Sequence, residues 1–212
     1  MAKPRIAIVD TGSGNLRSVE KALTVAGADP FVTRDAEQVA AADKVVVPGQ
    51  GAFGACMAGL MRDGGSLRDA VLAAIRAGKP YLGICMGLQL LFASSEEEPG
   101  CAGLGVLPGN VVKFNIAPPL KVPHMGWNAC RQPPSSTLPV SPMLEGTADG
   151  TYFYFVHSYY PVPDDPRDVA LFAEHGQRFC AAVSRDNIFA SQFHPEKSQR
   201  AGLALLARFT SI

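Results

Sequence analysis

Cys85 stands in the run G-I-C-M-G, with Gly83 and Gly87 two residues to either side, and far downstream His194 and Glu196 flank a proline in H-P-E. A thiol, an imidazole and a carboxylate are what a nucleophile, its general base and the orienter of that base require. G-x-C-x-G is the cysteine form of the nucleophile elbow. A strand reverses abruptly into a helix, the flanking positions approach other backbone too closely to carry a Cβ, and the central side chain is pushed out at the apex. The unpaired N–H groups of the following helix favour an anion there. In H-P-E the proline fixes the backbone, and residues two apart on an extended segment point the same way. One ring nitrogen of His194 is therefore expected to take the Cys85 proton while the other donates to Glu196. The plainer alternative is a cysteine that packs as a small core hydrophobe between two glycines. The apolar run before it and the apolar helical run after it favour the elbow.

Those side chains need elements to hold them. Residues 81–84 read as a buried strand after Lys79-Pro80, and 88–93 as the opening of an apolar helix. Upstream, 5–10 is a β-branched run, 11–14 turns the chain, and Asn15 caps a helix ending near Gly27. Strands at 30–33 and 44–47, with a helix at 36–42 capped by Asp35 between them, continue the alternation. The loop T-G-S-G-N is no dinucleotide fingerprint, because Arg17 takes the place of the third glycine, and no P-loop lysine follows. After the third strand comes P-G-Q-G-A-F-G (48–54), too glycine-dense for a regular element. It lies where a parallel strand ends, the end at which open α/β sheets bind ligands, so its N–H groups are candidate oxyanion donors.

Helices at 55–62 and 67–77, the second capped by Ser66 and closed by Gly78, lead back into the Cys85 strand. Beyond the elbow an acidic, glycine-bearing loop (94–105) gives way to short β-branched and aromatic runs punctuated by proline and glycine. Those at 152–156, 169–174, 179–184 and 188–193 read as strands of antiparallel type. The proline-rich stretch 131–150 is the most linker-like but too short to divide domains. Ser198 is placed to cap a closing helix, 201–209, with Leu203, Leu206 and Phe209 near one face. The expected fold class is α/β: an open, twisted, mostly parallel sheet flanked by helices, with an additional antiparallel strand section, in a single domain over 1–212.

Acidic and basic side chains balance at 19 each across the 212 residues, so there is no electrostatic footprint for nucleic acid or an anionic membrane. Five cysteines without C-x-x-C point to reduced thiols and a cytoplasmic location. The N-terminus runs straight into a strand without a signal-peptide core, and the longest apolar region, 81–93, is shorter than a membrane span and contains Gln89. His124 in P-H-M-G-W-N and His157 in F-V-H-S-Y-Y have aromatic neighbours, where a satisfied core or hinge histidine explains them as well as a ligand role. His175 in E-H-G-Q reads as a solvated turn residue. No metal-binding pattern is formed, and neither metal nor cofactor is expected.

PGQGAFG, GICMGLQLLF and QFHPEKSQ, in this order, resemble the class I (triad) glutamine amidotransferases, and the likeness runs from DTGSGNLRSV to the closing helix. The resemblance implies hydrolysis of L-glutamine to glutamate and ammonia by a Cys85–His194–Glu196 triad through a thioester. It implies an oxyanion hole from the amides of Gly51 and Met86, with Gln50 after a peptide rotation. It implies glutamine binding by Gly49, Gln89, Glu97, Ser158 and Tyr159. Family members often carry a small aliphatic residue where this chain has Gln50. PHMGWN and YFVHSYY are similar to glutaminase subunits that pair, as heterodimers, with a separate barrel-type synthase (cyclase) subunit, which they supply with ammonia. Asn15, Met125, Trp127, Asn128 and Lys197 match the positions that meet that partner. Trp127 as a core anchor and Lys197 as a solvated charge are the structural alternatives. Two other functional readings stay open. One is a glutaminase serving vitamin B6 or anthranilate synthesis, which PHMGWN and GNLRSV disfavour; the other is a non-enzymatic module whose cysteine serves packing or redox sensing.

Overall fold

A computed structural model describes residues 2–133 and 141–212. The N-terminal half alternates strand and helix as its apolar runs predict: β1 (Arg5–Val9), α1 (Leu16–Val25), β2 (Asp29–Thr33), α2 (Ala36–Ala41), β3 (Lys44–Gly49), α3 (Phe53–Leu60), α4 (Ser66–Arg76), β4 (Tyr81–Cys85) and α5 (Met86–Gln89). Asn15 caps α1 by accepting the Ser18 N–H at 3.3 Å, and Asp35 caps α2 by accepting that of Glu37 at 2.8 Å, each satisfying a backbone donor that the helix leaves open. Ser66 does not cap α4. It lies inside the helix, behind Gly65 at φ +86°, because a left-handed residue ends the preceding 3-10 turn there. The glycine-dense run is more regular than expected, since Pro48 and Gly49 finish β3 and Phe53 and Gly54 begin α3.

The C-terminal half supplies β5 (Gly109–Lys113), β6 (His124–Cys130), β7 (Thr151–His157), β8 (Tyr159–Pro163), β9 (Val169–Glu174), β10 (Arg178–Arg185), β11 (Ile188–Ser191) and α6 (Gln199–Ser211). One seven-stranded sheet runs β2-β1-β3-β4-β11-β10-β9. It is parallel from β2 to β11, and β10 and β9 are added antiparallel at one edge. The antiparallel pairs β5–β8 and β6–β7 stand apart from it. Of the linker-like stretch, 134–140 lie outside the described residues, and beyond them Met143 and Leu144 are buried.

Successive side chains of a strand face opposite ways, and here both ways lead into core. Ile6, Ile8, Val46, Leu82 and Ile84 pack with Val19 and Leu23 of α1 and with Leu205, Leu206 and Phe209 of α6. Ala7, Val9, Val45, Val47 and Tyr81 pack with Phe53, Met57 and Leu60 of α3 and Val71 of α4. A sheet covered on both faces explains why these strands read as unbroken apolar runs. Leu203 is an exception to the expected α6 face: it is partly exposed, and Gly202 and Leu205 take its place. The carboxyl ends of β3, β4 and β11 lie side by side, with Gly49 paired to Cys85 and Ser191 to Ile84. That edge carries the site.

Candidate active site

Cys85 adopts φ +54°, ψ −101°, a conformation that L residues rarely hold and that costs of order 1–3 kcal/mol unless the surroundings enforce it. The enforcing contacts come from the two glycines. A Cβ on Gly83 would lie 2.6 Å from the Gly87 carbonyl oxygen, and one on Gly87 only 1.7 Å from that of Val47. Tyr81 Oη, fully within the core, donates to the Gly87 carbonyl at 2.9 Å and ties the bend to its own strand. The helix starts at Met86 rather than at 88 and is a single turn. The apex does not project from the molecule as the elbow spacing alone suggested. Cys85 is 5% exposed and lines a cavity of about 330 Å³ that is partly open to solvent, so the bend delivers the thiol to a pocket rather than to the surface.

The candidate base follows the neighbouring strand. β11 ends at Ser191 rather than 193, His194 is extended, and Pro195–Lys197 forms a 3-10 turn. Glu196 therefore reaches back through a turn and not along an extended segment, since proline opens the turn readily at its first position. His194 Nδ1 donates to Glu196 Oε1 at 2.9 Å, with both side chains 1% exposed. That leaves His194 Nε2, which is buried and has no hydrogen-bond partner among the described residues. Burial opposes charge on the ring, but the Cys85 sulfur and then the Glu196 carboxylate outweigh it and raise the imidazole to about 9. Ser198 does not use its hydroxyl to cap α6. It donates to the His194 carbonyl at 2.7 Å and accepts from the Tyr154 N–H at 3.0 Å, while the His194 N–H donates to the Tyr154 carbonyl at 2.9 Å. The base is thereby tied to β7.

The three expected oxyanion residues, Gln50, Gly51 and Met86, line the cavity beside Cys85, with Gly51 at φ +95°. Gln89, Glu97, Ser158 and Tyr159 line it too. Gly49 does not; it is buried as the strand partner of Cys85, where a Cβ would lie 2.6 Å from that of Met86. Glu97 Oε2 accepts the Phe53 N–H at 2.8 Å and so steadies the start of α3, leaving Oε1 for other work. Gln89 Nε2 donates to the Tyr159 carbonyl and to Gln192 Oε1, each at 3.1 Å. Gln89 Oε1 is buried without a partner among the described residues, and a buried acceptor left unpaired is uncommon in a folded chain.

Trp127 is 45% exposed and Met125 64%, which removes the core-anchor reading of the tryptophan. The Trp127 ring meets Tyr154 edge-on at 6.1 Å, and Lys197 Nζ lies 5.9 Å from the centre of the same Tyr154 ring. Lys197, half-buried, also lines the cavity. Asn15 is exposed and Asn128 half-buried. Two features escaped the sequence reading. Gln192, the first residue of QFHPEKSQ, is fully buried with Nε2 3.6 Å from Cys85 Sγ, and His124 and His157 are joined at 3.0 Å. His175 is not simply solvated, since Nε2 meets the Lys121 carbonyl at 2.9 Å and its ring lies tilted against that of His124 at 4.4 Å between centres. Among the described residues no cluster of three or more His, Cys, Asp or Glu side chains could hold a metal ion.

A family model described as glutamine amidotransferase class-I matches residues 7–211. A protein of Syntrophotalea carbinolica named imidazole glycerol phosphate synthase subunit HisH is 49% identical over 210 residues, covering 96% of this chain and 98% of that one. The protein of the same name from Rhodopirellula baltica is 48% identical, covering 97% of each. Among solved structures, PurLQS from Thermotoga maritima aligns over 99% of both chains with a TM-score of 0.71 at 20% identity. The glutaminase domain of CTPS from Trypanosoma brucei aligns over 99% of this chain and 94% of that one, with a TM-score of 0.64 at 16% identity. At such identities the structural likeness speaks for the fold.

Proposed function

The chain belongs to the class-I glutamine amidotransferases, and from that premise we propose that it is the glutaminase subunit of an imidazole glycerol phosphate synthase. The supporting relatives, at 48–49% identity over nearly their whole length, are named imidazole glycerol phosphate synthase subunit HisH. The observation that carries the chemistry is the buried His194–Glu196 pair, with Nε2 left without a partner among the described residues and His194 lining the same cavity as Cys85.

In this reading the Cys85 sulfur adds to the side-chain carbonyl carbon of glutamine, and the carbonyl electrons move onto oxygen. The amides of Gly51 and Met86, joined by that of Gln50 after its peptide turns, hold the oxyanion; losing one such donor costs roughly 10²–10³ in rate. His194 carries a proton on Nε2 at neutral pH and gives it to the departing nitrogen. The C–N bond breaks, ammonia leaves and a glutamyl thioester remains. The neutral ring then takes a proton from water, the water oxygen attacks the thioester, and glutamate is released as sulfur and imidazole return to their starting state. Glu196 holds Nδ1–H throughout and stabilises the charged ring. Gln89, Glu97, Ser158 and Tyr159 grip the amino-acid end of glutamine, with Gln89 Oε1 accepting from it. Gly49 contributes by placing Gln50.

Ammonia passes to a barrel-type cyclase subunit in a heterodimer, met through Asn15, Met125, Trp127, Asn128 and Lys197. Ammonia in neutral water is mostly protonated and inert, so a covered route preserves the nucleophile. Glutamate production by the purified chain, assayed with and without the cyclase and its nucleotide substrate, tests the whole reading. Stimulation by orders of magnitude is expected. Equal turnover in both mixtures would remove the partner, and no glutamate in either would remove the reaction.

A further inference from the structure

The backbone N–H of Gln192 donates to the Ala181 carbonyl at 2.8 Å, which fixes the residue just past the end of β11. Its fully buried side chain has both amide atoms engaged. Oε1 accepts from Gln89 Nε2 at 3.1 Å, and Nε2 faces Cys85 Sγ at 3.6 Å. The orientation follows from the neighbours. Gln89 Nε2 sits between two acceptors, the Tyr159 carbonyl and Gln192 Oε1, so exchanging its atoms would set oxygen against oxygen twice. With Gln192 Oε1 bound to Gln89, only the N–H end is left for the sulfur.

The run does not stop at Tyr159. Its carbonyl also takes the His157 Nδ1–H at 2.8 Å. In a neutral imidazole Nε2 is then an acceptor, and it stands 3.0 Å from His124 Nδ1, which must carry the proton. His124 Nε2 is in turn bare and accepts from Asn128 Nδ2 at 3.2 Å, while the other amide proton of Asn128 goes to the Glu174 carbonyl at 2.8 Å. One carbonyl at one end thus assigns every proton as far as β6. A charge on either ring would put N–H against N–H, and burial, joined by the neighbouring imidazoles, holds His124 to about 4 and His157 to about 3.

We propose that Gln192 is a further catalytic residue, an N–H donor to the Cys85 sulfur, and that His157 and His124 are positioning residues that hold it through Tyr159 and Gln89. The donor keeps the sulfur aimed into the cavity and favours its anion, since a hydrogen bond to a charged group is stronger than one to a neutral group. Only the turnover arm of the test rests on the glutaminase reading; the reactivity of the sulfur is read without glutamine.

The full chain is treated with iodoacetamide at fixed pH, and carbamidomethylation of the Cys85 peptide is followed by mass spectrometry against partly exposed Cys101 as internal standard. Gln192→Met, which keeps the length and loses the N–H, is expected to slow Cys85 by about tenfold with Cys101 unchanged. Gln192→Glu, which places a carboxylate on the sulfur, slows it further. His124→Leu slows it in the same direction, and His124→Asn, which keeps an N–H where Nδ1 points, restores most of the rate. Equal Cys85 rates in wild type and both Gln192 variants would overturn the donor. His124→Leu and His124→Asn behaving alike would overturn the histidine pair, and that comparison decides the matter if the Gln192 variants do not fold. In glutamine turnover the Gln192→Met loss falls on kcat more than on KM, and a loss confined to KM would count against the donor. Should the wild-type chain with a cyclase subunit hydrolyse no glutamine while the alkylation differences persist, the glutaminase reading fails and the donor stands.

Discussion

Of the two groups that do the proposed chemistry, His194 is perturbed by the sulfur it serves, and that makes the pair open to experiment. Cys85→Ala keeps the Cβ and therefore the bend, so circular dichroism should be unchanged while glutamate release falls by roughly 10⁴-fold or more. The same variant reports on His194. In the unfolded chain that ring titrates near 6.5, and in the folded chain it is raised to about 9 against the opposing effect of burial, first by Cys85 and then by Glu196. Because the folded value is the higher one, the ring contributes stability that is fully present below pH 6.5 and is lost as pH rises through about 9. Removing the sulfur should move the His194 midpoint, followed by NMR, down toward 6.5 and bring the alkaline loss of stability to lower pH. A midpoint unmoved by Cys85→Ala would mean that the two groups do not meet. Gln192 shows why part of this site was hidden in the sequence. A glutamine at the end of an apolar strand carries no spacing signal, and its function comes from Cys85 and Gln89 on another strand and helix.

At the scale of elements, the elbow is legible because its requirement is local: two positions without a Cβ, a strand before and a helix after. Gly87→Ala puts a Cβ 1.7 Å from the Val47 carbonyl oxygen, so the bend and β3 must part. A loss above about 4 kcal/mol in urea unfolding, or failure to fold, is expected. Gly51→Ala is a contrast, since a Cβ there meets nothing within 4 Å among the described residues. Its cost is the positive φ alone, about 1–2 kcal/mol, and the larger effect should appear in turnover as the proposed oxyanion loop is held in one conformation. Equal stability losses for the two glycines would show that contact is not what distinguishes them. The two misread caps have different causes. Ser66 and Ser198 both look like caps from their neighbours, yet a left-handed glycine starts α4, and the Ser198 hydroxyl is taken by His194 and Tyr154. A hydroxyl binds whichever partner the tertiary structure offers, and sequence shows only the partners nearby.

For the whole molecule, the βα alternation up to β4 was readable because both faces of a parallel sheet are buried, whereas the splitting of the later strands among one sheet edge and two separate pairs was not. Pairing there is decided by long-range register, which short runs of tyrosine, phenylalanine and valine do not encode. The exposed Trp127, propped on Tyr154, is the candidate anchor of the partner surface. Trp127→Ala is expected to weaken association with the cyclase subunit by more than about tenfold, measured by calorimetry; unchanged affinity would place the docking surface elsewhere. Tyr154 supports that tryptophan with its ring, accepts the His194 N–H with its carbonyl and donates its own N–H to the Ser198 hydroxyl, which in turn holds the His194 carbonyl. Anyone wishing to rewire this glutaminase to feed a foreign acceptor would therefore find the proposed contact ribbon and the proposed proton carrier inseparable. The two would have to be transplanted as one cassette, because a graft of the outer face alone would reshape the seat of the imidazole.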